Sequence, residues 1–80
     1  MAFTQTLRDL QEIYQEVVRQ TEKNRLRFDD SKKDIRDFRR IFDAQSAKMN
    51  QAIFNDEPPG KMRQEAVHTV SALFEILARL

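Results

Sequence analysis

The chain has 80 residues, 14 Lys and Arg against 13 Asp and Glu, a formal net charge of +1, and no cysteine. That length allows one domain with a modest core, and the missing cysteines exclude disulfides and thiolate-held zinc as supplements to it. The near-balanced charge sets up no global field toward a polyanion, and the one glycine and two prolines, all within positions 58–60, leave almost no turn chemistry for strands.

The expected class is therefore all-α. The first helix is read over about residues 4–27. Phe3, Leu7, Leu10, Tyr14 and Val17 recur at spacings of four, three, four and three, the heptad pattern of a helix packed on another helix. Ile13 and Val18 widen the stripe, as in a bundle. Thr4 or Thr6 supplies a cap, the latter with Asp9 three residues on.

The same phase continues without a slip through Thr21, Asn24, Phe28, Ser31, Ile35, Phe38, Phe42, Gln45, Met49 and Ala52. It permits one helix from about residue 4 to 55, roughly 75 Å long at 1.5 Å per residue. A hairpin bent near Asp29-Asp30-Ser31 is preferred. The inward positions turn polar there, Ser31 with Asp34 resembles a capping box, and Lys23, Arg25 and Arg27 precede the bend while acids follow it, matching two helix dipoles end to end.

The second helix, about 31–55, is expected to bury Ile35, Phe38, Ile41, Phe42, Met49, Ala52 and Ile53. Pro58 disfavours helical geometry at Glu57 and so ends it. Phe54 departs from the inward row and is expected to pack beneath the third helix.

The third helix, about 59–80, is the most apolar stretch. Taking Ala66 as zero and about 100° per residue, its apolar face centres near 20° and takes in Val70, Leu73, Phe74, Leu77 and Leu80. Such an arc needs a cover. The expected architecture is a single domain over residues 1–80, a small three-helix bundle. It consists of a long helical hairpin plus a shorter apolar C-terminal helix, completed by dimerisation.

Chemistry-bearing patterns are few. Glu65-x-x-His68 has the spacing of bundle di-metal sites, but the wheel puts both residues opposite the apolar face, and no second histidine exists for a conventional zinc site. A nucleophile-and-base pair has no buried histidine to draw on, and the lone Gly60 makes no phosphate loop. No enzyme activity, metal or cofactor is expected.

Residues 19–40 carry nine bases against five acids. Lys32, Lys33, Arg36, Arg39 and Arg40 form a basic face on the second helix that suits sequence-independent phosphate contact. Asp34 and Asp37 partly neutralise it.

No signal-peptide pattern or membrane span is read, so a cytoplasmic location is expected. The function expected is a small non-enzymatic interaction module, adaptor, chaperone-like or regulatory. It would form a homodimer through Val70, Leu73, Phe74, Leu77 and Leu80, with another protein as a further partner. Nucleic-acid binding through the basic face is the alternative.

Overall fold

A computed structural model describes residues 2–80, with side chains described from Arg8 onward. Its elements are α1 (Ala2–Phe28), a 3-10 turn (Asp30–Lys32), α2 (Ile35–Phe54) and α3 (Pro59–Ala78). All the described secondary structure is helical, as composition implied. Thr4 and Thr6 lie inside α1 and not at its start.

Each break has a local cause. α1 stops at Asp29, which takes the left-handed conformation (φ 59°, ψ 37°), a state that costs an L-residue about 1–2 kcal/mol and that Asp tolerates better than most. Lys33 (ψ 152°) and Asp34 (ψ 180°) are then extended. The capping box belongs to Asp34 and Asp37, one turn later than Ser31. Asp37 N–H donates to the Asp34 carboxylate (3.0 Å), and Asp34 N–H donates to the Asp37 carboxylate (3.1 Å).

At its other end α2 closes in a Schellman arrangement. Asp56 is left-handed (φ 53°), Glu57 N–H reaches Ala52 O (3.0 Å) and Asp56 N–H reaches Ile53 O (3.2 Å). Pro58 then stands extended before Pro59 opens α3, where the missing N–H of a first-turn proline is harmless.

α3, as long as α2 and not shorter, lies between the other two helices. The tight hairpin is α2–α3: Arg79 at the end of α3 covers the Phe38 ring near the start of α2, 4.5 Å from its centroid. Among the described residues α1 makes no packing contact with α2, which corrects the expected α1–α2 hairpin. The extended Lys33-Asp34 step directs α2 away from α1.

α1 instead crosses α3 steeply. Phe74 meets Tyr14 (ring centroids 5.9 Å) while the adjacent Glu75 meets Arg25, and those two α1 residues stand about 16 Å apart along their helix. The result is elongated, 42 × 29 × 21 Å with a radius of gyration of 13.7 Å, against about 11.6 Å for a compact chain of this length.

Val17, Phe38, Ala52, Val67 and Ala72 form the apolar core. Within α2 the heptad row holds, with Phe38 and Ala52 buried and Ile35, Phe42, Gln45 and Met49 half-buried; Ile41 beside it is also half-buried. Ile53 and Phe54 are exposed, Phe54 at 89%. Phe54 therefore does not pack beneath α3, because it lies about 200° around α2 from the buried Ala52. Within α1 Val17 is buried but Leu10, Ile13 and Tyr14 are open. The positions Phe3 and Leu7 lie outside the described side chains.

Candidate functional site

Around α3 the inward and outward faces are the reverse of those its hydropathy implies. Buried against the other helices are Val67, Thr69, Ser71, Ala72 and Glu75, whereas Leu73, Leu77 and Leu80 stand 40%, 59% and 85% exposed. Glu75 lies about 160° around the helix from Leu77. The polar arc is the one the fold covers.

That arc is stable inside because its groups are satisfied. The Glu75 carboxylate, 1% exposed, takes a two-pronged contact from Arg25 (Nε 2.8 Å, Nη2 2.7 Å) and a third bond from Arg79 Nη1 (2.9 Å). The Arg25 hydrogen bond, with help from Arg79, holds the carboxyl below its ordinary range even though burial acts the other way. It is an anion at neutral pH with its lone pairs engaged, and so unsuited to general acid catalysis.

Beside it runs a directed chain of polar groups. Thr21 donates its hydroxyl proton to Val17 O (2.8 Å), so Ser71 donates to Thr21 Oγ1 (2.8 Å). Asn24 Nδ2 donates to Ser71 Oγ (3.4 Å), and Asn24 Oδ1 accepts from Gln20 Nε2 (2.9 Å). At the rim Arg63 binds Glu16 (2.6 Å). These bonds set the register of α1 on α3.

Arg79 ties the same end to the bend. It donates to Asp30 O (2.9 Å) and Lys33 O (2.8 Å), while buried Asp30 pairs with Lys33 at 2.6 Å.

Because α1 and α2 diverge over α3, a wedge opens on each side. One is a mixed cleft of about 440 Å³ lined by residues that include Phe28, Ile41, Gln45, Glu65, His68 and Glu75. Glu65 and His68 therefore face the α2 side and are part-covered, not opposite the packed face as the wheel placed them. The packed face of α3 is its polar one. Gln45 Oε1 is buried there without a hydrogen bond. Among the described residues no group of three or more His, Cys, Asp or Glu is arranged to hold a metal.

The opposite wedge is an apolar groove of about 380 Å³ formed by Ile13 and Val17 of α1, Ile53 of α2, and Met62, Ala66, Val67 and Val70 of α3. Of the five residues anticipated as a contact surface, Val70 lines this groove, Phe74 is half-covered by Tyr14, and Leu73, Leu77 and Leu80 face outward. Ala66, Val70, Leu73 and Leu77 are spaced four, three and four along α3, a heptad row on an open surface, and Leu80, expected to continue it, lies two residues past the end of the helix. Sequence reasoning missed Ile13 and Tyr14 as neighbours of that surface, because only the crossing of α1 over α3 brings them there, and it missed Ile53, which the α2–α3 pairing brings.

The basic residues are not assembled into one helix face. Lys32 belongs to the 3-10 turn and Lys33 to the extended step, so neither lies on α2. Lys32 pairs with Asp29 (3.2 Å), Arg39 with Asp43 (4.0 Å) and Arg40 with Asp37 (4.0 Å). Arg36 is exposed and has no ion pair within 4.0 Å among the described residues.

Fold and surface together define an all-α protein of three helices, with a polar joint between α1 and α3 and an apolar face left outward. No family model, curated protein or solved structure matches the chain significantly. No helix among the described residues is long and apolar enough to cross a membrane.

Proposed function

We propose that this chain is a small, non-enzymatic interaction module of adaptor, chaperone-like or regulatory type that self-associates through the outward face of α3. The observation that carries the reading is the inversion of α3. Ser71 and Glu75 are covered while Leu73, Leu77 and Leu80 are open, an arrangement that leaves apolar area in water unless a second surface covers it. The 4-3-4 spacing of the helical row from Ala66 to Leu77 suits a helix as the covering element. Its flanking positions Val67, Thr69, Phe74 and Ile76 carry no charge, so two identical rows meet without repulsion.

The area approaches that of a standard interface. Leu73, Leu77, Leu80, Leu10, Ile13 and Tyr14 together expose on the order of 700 Å², taking roughly 200 Å² for a fully exposed large side chain, against about 800 Å² per partner in a standard interface. The patch is continuous, since Ile13 shares the groove with Val70, and Tyr14 lies on Phe74.

Sedimentation of the wild-type chain across a concentration series should show a dimer that Leu73→Asp and Leu77→Asp reduce to a folded, helical monomer. A wild-type chain that stays monomeric throughout would sink the proposal.

A further inference from the structure

We infer that α1 is an exchangeable arm, able to leave its own α3 and dock on the α3 of a second copy by straightening residues 29–34. The inference does not depend on the outward face of α3, and four observations lead to it.

The heptad phase runs unbroken from Val17 through the bend to Ala52, as though α1 and α2 were one helix. Residues 29–34 contain neither glycine nor proline, so nothing in their chemistry forbids a helix there. The bend is held by conformations outside the helical region, foremost the left-handed Asp29, whose strain a straight helix would relieve. And among the described residues α1 packs on α3 and the 3-10 turn, with no Cα within 8 Å of one in α2, so most of its described docking site can be supplied by another chain.

The joint is suited to exchange. It is specified by directional bonds, Arg25–Glu75, Thr21–Ser71 and Glu16–Arg63, which form equally well within or between chains. What exchange gives up are the bonds from Arg79 to Asp30 O and Lys33 O and the Asp34–Asp37 capping box. What it gains are the helical bonds of the straightened segment and the relief of Asp29. The balance favours the closed monomer when dilute and the exchanged dimer when concentrated, as mass action requires. In that dimer residues 2–54 form one helix of about 80 Å.

The absence of cysteine gives a direct test. Thr21→Cys with Ser71→Cys places two thiols where hydroxyls now meet at 2.8 Å. The variant is unfolded, refolded at micromolar and millimolar concentration, oxidised, and run on a denaturing, non-reducing gel. A covalent dimer whose share rises with concentration is expected, and it should persist when Leu77→Asp is added, because face-to-face pairing leaves this disulfide within each chain. Intrachain links alone at every concentration would overturn the inference.

Should the buried pair disturb folding, Glu16→Cys with Arg63→Cys on the surface, joined by a short bis-maleimide, reads the same geometry. Asp29→Gly, which permits the bend and weakens the helix, should lower the dimer share about tenfold, and Asp29→Ala should raise it. Equal shares in these two variants would also overturn it.

Discussion

Glu75 joins three parts of the molecule through one carboxylate. Arg25 brings α1, Arg79 closes α3, and Arg79 in turn holds the bend at Asp30 and Lys33. A buried carboxylate stripped of its cations would be strongly destabilising, whereas a neutral amide of the same shape keeps one accepting oxygen and loses the charge and the bond at the other, where its NH2 meets an arginine donor. Glu75→Gln should therefore lower stability by about 1.5–3 kcal/mol, as found for hydrogen bonds to charged groups, measured as a shift in urea midpoint. The sign of the pH dependence follows from the depressed carboxyl. The unfolded chain takes up a proton at Glu75 near the ordinary value of 4.5, while the folded chain resists until lower pH. The stabilisation is thus complete above about that value and is lost as pH falls through the folded-state value. The wild-type midpoint should drop more between pH 7 and pH 3 than that of Glu75→Gln. Parallel curves would show that the carboxylate is not held as described.

Among the elements, α2 tests the packing most sharply because two of its three phenylalanines have opposite fates. Phe38 is fully buried beneath the Arg79 guanidinium, and Phe38→Ala should cost about 3–5 kcal/mol, enough to unfold most of the chain in a thermal melt. Phe54→Ser should stay within about 0.5 kcal/mol of wild type. Comparable losses would place Phe54 in the core after all. This pair also marks what was legible in the chain. Heptad phase located the inward row of α2, the breakers at Pro58-Pro59 located the start of α3, and the polar turn of the row near residue 30 located the bend. The orientation of α3 was hidden, since periodicity sends polar residues to water. Ser71 and Glu75 are buried because partners about fifty positions away, Thr21 and Arg25, complete them, and such pairings leave no periodic trace.

For the whole molecule, the open α3 face and the exchangeable arm lead to one thermodynamic expectation. If folding is coupled to dimerisation, a hundredfold rise in concentration stabilises the dimer by about 2.7 kcal/mol relative to two unfolded chains. Shared between two chains and converted at about 4–8 °C per kcal/mol for a domain of this size, that is a rise in Tm of about 5–10 °C. Leu77→Asp should abolish the part of the rise due to the α3 face without loss of helix content, because Leu77 contributes little to the packing within one chain. Asp29→Gly should reduce the part due to the arm. Both changes together should leave a chain whose melting depends on concentration far less than that of wild type. A wild-type Tm that does not move across that range would reject association by either route, and with it the proposed role, because both the outward leucines and the transferable joint would then have no second chain to meet.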